Sequence, residues 1–102
     1  MEKNIVLEML RRHRSELEAE GAVHLAIFGS VAREDNDAES DLDVVVKLEE
    51  SVRLSGFGYF GALARLKEKL ESIVGKSVDI VSEPIQSDRL RREIERDRAV
   101  AF

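Results

Sequence analysis

Val6, Leu10, His13 and Leu17 recur on one side of a 3.6-residue period between residue 4 and about residue 20, with charged residues filling most other positions. That spacing predicts an amphipathic helix, and Gly21 is placed to close it. HLAIF, residues 24–28, is a short apolar run that stops at Gly29 and reads as a buried strand. Residues 30–33 suffice for one helical turn, and EDNDAES is polar turn material. A second strand spans Asp41 to about Leu48, and SVRLSGFG predicts a loop over 49–58. Phe60, Leu63, Leu66, Leu70 and Ile73 then keep one helical face apolar until Gly75. SVDIVS (77–82) alternates and is β-branched, so it predicts a third strand, and Pro84 stops it. Ser87 or Asp88 can cap a last helix over 88–97, leaving AVAF as a terminal strand or docking tail. The order of elements implies an α+β fold, a small mixed β-sheet with helices packed on one face, with residues 1–102 as one domain.

Composition narrows the chemistry. The chain has 102 residues, 43% of them hydrophobic and 36% charged, enough for one core and too few for two. It contains no cysteine, which removes thiolate metal sites, disulfides and a cysteine nucleophile. No apolar run approaches a membrane span, and the opening MEKNIVLEML lacks the cationic head and cleavage site of a signal peptide, so a cytoplasmic location is expected. A formal net charge of -5 argues against unaided binding to long nucleic acid. Arginines do cluster, as Arg11, Arg12 and Arg14 near one end and Arg89, Arg91, Arg92, Arg96 and Arg98 near the other. They read either as solvated helix faces with i,i+4 pairs or as a surface for an acidic partner. His13 and His24 read as packed or half-exposed residues, since neither has a second histidine at metal-ligand spacing.

The second strand poses the functional question. Side chains alternate along a strand, so Leu42, Val44 and Val46 face one way and Asp41, Asp43 and Val45 the other. In the third strand Val78 and Ile80 bury while Asp79 joins the carboxylate side. Three clustered carboxylates resist ionising beside one another and call for a cation. Oxygen donors alone suit Mg²⁺ or Mn²⁺, and two such ions about 4 Å apart can clamp the attacking and leaving oxygens of a phosphoryl displacement. An Asp-x-Asp at a strand end is by itself ordinary turn chemistry. Here, however, Gly29-Ser30 ends a buried strand and opens a helical turn, offering N–H groups and a hydroxyl to an anion. Arg33 lies about one turn further along and could grip a phosphate.

Gly29-Ser30, ten intervening residues and Asp41-Leu42-Asp43, together with Arg33 and the carboxylate of a Val-Asp-Ile-Val strand, resemble the nucleotidyltransferase superfamily of DNA polymerase beta, and within it the minimal nucleotidyltransferase (MNT) group. The ending IERDRAVAF is similar to that group's Arg-Asp pair followed by an apolar tail. The resemblance implies a polymerase beta-like palm in which Gly29, Ser30 and Arg33 bind the nucleotide. It also implies that Asp41, Asp43 and Asp79 are catalytic and hold two Mg²⁺ ions, with ATP as substrate. It further implies an antitoxin that transfers AMP to a tyrosine of a HEPN ribonuclease toxin, in a hetero-oligomer with that toxin. The position after Arg33, often Gly in the family, is Glu34 here, which either turns to solvent or crowds the phosphate path.

Two other readings compete with that one. A binding module could neutralise the toxin by covering its active site, without turnover. Transfer to a small molecule such as an aminoglycoside would need walls for the acceptor that a chain this short does not have to spare.

Overall fold

The computed structural model describes all residues from 1 to 102. Its elements are α1 (Lys3–Arg12), α2 (Arg14–Ala19), β1 (Ala22–Phe28), α3 (Gly29–Arg33), β2 (Leu42–Leu48), α4 (Glu50–Arg53), α5 (Phe57–Val74), β3 (Val78–Ser82), α6 (Asp88–Asp97) and β4 (Ala99–Val100). The strands form one sheet in the order β3-β2-β1-β4. β1 runs antiparallel to both β2 and β4, while β2 and β3 are parallel, so the sheet is mixed as expected. α5 is the crossover that makes the parallel pair possible, returning the chain from β2 to start β3 at the same end.

The alternation anticipated along β2 sorts the core into two layers. Leu42, Val44 and Val46 join Leu25, Ile27 and Val78 beneath Leu7, Leu10, Leu17, Leu66 and Leu70 of α1, α2 and α5. On the opposite face Ala26, Phe28 and Val45 pack against Ile94 of α6, with Val81, Ile85 and Leu90 at the margin. The carboxylate face is therefore partly roofed by α6 instead of lying open. The remainder of that face, toward the carboxyl end of β1, holds the candidate site.

Several boundaries differ from expectation, each for a local reason. The first helix is two helices, because the backbone N–H of His13 bonds to the Leu10 carbonyl instead of the Met9 carbonyl, and its ring Nδ1 donates to Met9 O at 2.8 Å. His13 is half-buried and His24 is exposed on β1. The loop over 49–58 contains the short helix α4, and α5 starts at Phe57, three residues before Phe60. Phe60 is not on the buried face. It is 68% exposed, Phe57 is 95% exposed, and α5 packs through Ala62, Leu66, Leu70 and Val74. Ser87, not Asp88, caps α6, its hydroxyl accepting from Leu90 N at 3.2 Å. EDNDAES is a turn closed by Asp37, whose carboxylate accepts from Glu39 N at 2.9 Å and Ser40 Oγ at 3.2 Å.

AVAF is a strand and a tail at once. Ala99 and Val100 pair with Ile27 and Ala26, and Ala101 N donates to Leu25 O at 2.9 Å. Arg11 fixes this segment to α1, its Nε donating to Ala101 O at 2.8 Å and its Nη2 to Val100 O at 2.9 Å. Arg14 lies over the Phe102 ring, 5.1 Å from its centre. Arg12, Arg89, Arg91, Arg96 and Arg98 are paired with Glu8, Glu93, Asp88, Asp97 and Glu83. The arginine clusters thus serve mainly the chain itself, as the solvated-face reading expects.

Arg11→Ala removes two charge-assisted bonds to the tail and is expected to cost about 2 kcal/mol. The loss should appear in urea unfolding and as faster hydrogen exchange at Leu25 and Ala101. Glu34 stands in the left-handed region at φ 65°, where a side chain strains the backbone. Glu34→Gly should therefore stabilise the chain by about 1 kcal/mol in the same assay.

Candidate active site

β1 ends at Phe28, opposite Asp43 of β2, and the chain then turns into α3 at Gly29. This turn needs glycine twice over. Its φ is +73°, and a Cβ there would collide with the Asp43 carboxylate, lying 3.0 Å from Cγ. The main chain of the turn is thereby brought directly against an acidic side chain. In the next strand the register pairs Asp43 with Asp79, so two carboxylates stand side by side on the α6 face of the sheet. A cleft of about 580 Å³ opens over them, lined by Gly29, Ser30, Arg33, Asp43 and Asp79 on the sheet side and by Leu90, Glu93 and Arg96 of α6.

The structure thus brings together five of the six residues singled out by sequence. Asp41, the sixth, is exposed just before β2 and does not line the cleft, but its charge is felt at Asp43. Asp43 is pushed above the usual aspartate range, first by burial, then by the charges of Asp79 and Asp41, with Glu93 adding to them and Arg33 opposing. The side chains of Asp41, Asp43 and Asp79 take part in no salt bridge or hydrogen bond, whereas the acidic residues around them do. These oxygens are therefore available as donors of the kind that hard divalent cations take. They are not drawn together to the spacing of a formed metal centre.

Arg33 is already engaged. Its Nε donates to Asp35 at 3.0 Å and its Nη1 to Asp97 at 2.9 Å. Asp97, whose side chain is only 3% exposed, also accepts from Arg96 Nε at 2.9 Å and Nη2 at 3.2 Å. Its carboxyl is held down to about 2, by Arg96 first and then Arg33, against the opposing effect of burial. Glu34 is exposed and lines a separate hollow with Met1, Glu2, Lys3 and Asn36, which takes it out of the cleft. Glu93 and Arg96 are the charged cleft residues that sequence reading did not place there. Their spacing on α6 was visible, one turn apart on the helix that Ile94 anchors, but not the face of the sheet on which that helix lands.

Residues 7–101 match the family model of the nucleotidyltransferase domain, and the chain belongs to that family. A Methanocaldococcus jannaschii protein provisionally named protein adenylyltransferase is 33% identical over 94 residues, 90% of each chain. Protein adenylyltransferase MntA of Thermococcus cleftensis is 35% identical over 74 residues, 72% of this chain and 69% of that one. A solved structure provisionally described as a minimal nucleotidyltransferase superposes with a TM-score of 0.65 at 38% identity, covering 97% of this chain and 95% of that one. The same fold recurs at lower identity in two toxin–antitoxin structures. One is a complex with AMP-PNP, with a TM-score of 0.65 at 19% identity over 90% of this chain and 72% of that one. The other contains tri-AMPylated Shewanella oneidensis HEPN toxin with its MNT antitoxin, with a TM-score of 0.61 at 17% identity over 94% of this chain and 71% of that one.

Asp43 and Asp97 should show opposite pH signatures. Asp43 holds its proton more tightly in the folded chain than in the unfolded one, so it costs stability as pH rises through and above the usual aspartate range. Asp43→Asn should stabilise the metal-free chain at neutral pH and have little effect in acid. Asp97 contributes stability in full above its unfolded pKa of about 4, and that contribution is lost as pH falls through about 2. Urea unfolding of the parent, Asp43→Asn and Asp97→Asn chains from acid to neutral pH checks both signs.

Proposed function

We propose that this chain is an antitoxin of the cytoplasm that transfers AMP from ATP to a hydroxyl, that of a tyrosine, on a partner HEPN-type ribonuclease toxin. The observation that carries this reading is the in-register pairing of Asp43 with Asp79 beside the Gly29–Ser30 turn. Two carboxylates without partners stand next to backbone and hydroxyl donors, a juxtaposition suited to a nucleotide and its cations and of no use to a surface that only binds protein. The names of its relatives support the activity, and the toxin complexes of the same fold support the class of partner.

Asp41, Asp43 and Asp79 would hold two Mg²⁺ ions. When bound, these ions supply charge neutralisation and Lewis-acid polarisation at the phosphates. Ser30 and the Gly29 turn bind and orient the triphosphate, with Arg33 as a cationic partner. The partner's hydroxyl oxygen bonds to the α-phosphorus, the bond from that phosphorus to the bridging oxygen breaks, and pyrophosphate leaves. Asp79, the more exposed of the paired carboxylates, takes the hydroxyl proton. The acceptor must come from outside, since the cleft is open and the domain has no wall to enclose a second substrate. Leu54, Phe57 and Phe60 are the large apolar side chains left exposed on α4, α5 and the turn between them. Neighbouring Arg53 and Tyr59 line a groove with Val81 and Leu90, and both of these also line the cleft, so the groove adjoins the site.

Incubation of the toxin with this chain, ATP and Mg²⁺, followed by intact-mass spectrometry, should show gains in steps of one AMP. The Asp41→Ala, Asp43→Ala double variant should show none. If instead the double variant neutralises the toxin as well as the parent and no mass is gained, the chain acts by binding alone.

A further inference from the structure

Asp97 is a nearly buried carboxylate that no step above uses, and it joins two arginines from opposite walls of the cleft. Arg33 reaches it from α3 and Arg96 from the end of α6, across 64 positions of sequence in the case of Arg33. The bonds are distributed unevenly over the two guanidinium groups. Arg33 commits Nε to Asp35 and Nη1 to Asp97, leaving Nη2 uncommitted. Arg96 commits Nε and Nη2 to Asp97, leaving Nη1 uncommitted. Both side chains line the cleft that contains Gly29, Ser30, Asp43 and Asp79.

We propose that Arg96 is a second phosphate-binding arginine and that Asp97 is the positioning residue that holds Arg33 and Arg96 as one clamp over the nucleotide. The assignment rests on the nucleotidyltransferase reading of the cleft. A guanidinium ordered by a buried carboxylate gives up less rotamer freedom on gripping a phosphate oxygen than a free one, which is how an acidic residue can strengthen binding of an anion. The charges fit the same ligand. Asp43, Asp79 and Glu93 are the acidic residues of the cleft, and Arg33 and Arg96 are its only cations. A triphosphate would therefore meet the two clamp arginines directly and the acidic groups through divalent cations.

The test is equilibrium binding of a fluorescent ATP analogue in the presence of Mg²⁺, with a thermal melt of each chain. The parent should bind. Arg96→Ala should bind about tenfold more weakly, the loss of one charge-assisted contact, and should melt somewhat earlier, since Asp97 loses two of its three side-chain bonds. Arg96→Lys should recover only part of the affinity, because an ammonium cannot hold Asp97 with two nitrogens and still present a third. Asp97→Asn should weaken binding at least as much as Arg96→Ala by loosening both arginines. Should that variant fail to fold, Arg96→Ala decides alone. The stabilisation of each chain by Mg²⁺ without nucleotide should be the same for Arg96→Ala as for the parent, which a general loss of structure would not allow. Parent-like nucleotide binding by Arg96→Ala overturns the clamp and leaves the functional reading standing. No binding by the parent itself overturns both.

Discussion

Two like charges held at neighbouring positions of a parallel strand pair are the constraint around which the rest of this small molecule is organised. Asp43 and Asp79 share a register position, and neither has a cationic side chain bonded to it. Their repulsion is a standing cost that the remaining interactions must offset. The aliphatic layer under α1, α2 and α5 does so, since Leu42, Val44 and Val46 are fully buried on one side of the strand that exposes Asp43 on the other. The alternation of a single strand thus supplies both the stabilising core and the destabilising site.

The polar surroundings divide into two kinds. Arg11, Arg12, Arg14, Arg91 and Arg98 are spent on the chain's own carbonyls, carboxylates or ring, and the exposed pairs among them contribute little individually. Arg33 and Arg96 differ because their shared partner is buried. A carboxylate in that position must be satisfied by charged donors, so Asp97 holds its two arginines far more firmly than a surface ion pair would. Asp97 therefore ties the turn after β1 to the last helix through two arginines that line the cleft.

Much of this was legible in the chain. The three longer strands, the α5 crossover, the pairing of carboxylates on one face and the Gly29–Ser30 turn all follow from residue alternation and from where apolar runs stop. Three things did not follow. A helical period cannot reveal that His13 interrupts it, because the break arises from a side chain bonding back to Met9 O. Periodicity placed Phe60 with Leu63 and Leu66, yet no second layer reaches that end of α5, and Ala62 takes the inner position. The side of the sheet on which α6 lies depends on the path through Pro84 and on the tail that Arg11 secures, which are long-range facts with no local signature. Glu93 and Arg96 entered the site only through that docking.

The contact between Gly29 and Asp43 also acts on how the sheet is assembled. A strand as uniformly aliphatic as Val44-Val45-Val46 could pair with β1 in several alignments at similar energy, since neighbouring valines are interchangeable as packing units. Only one alignment sets Asp43, the carboxylate in register with Asp79, over the bare α-carbon of Gly29. A shift of one residue would turn the carboxylates into the aliphatic core, and a shift of two would put Asp41 or Val45 beside the turn in place of Asp43, the residue that pairs with Asp79. The glycine is thus a notch into which β2 keys, and the same atoms that shape the cleft also serve as the alignment mark by which the strand finds its place.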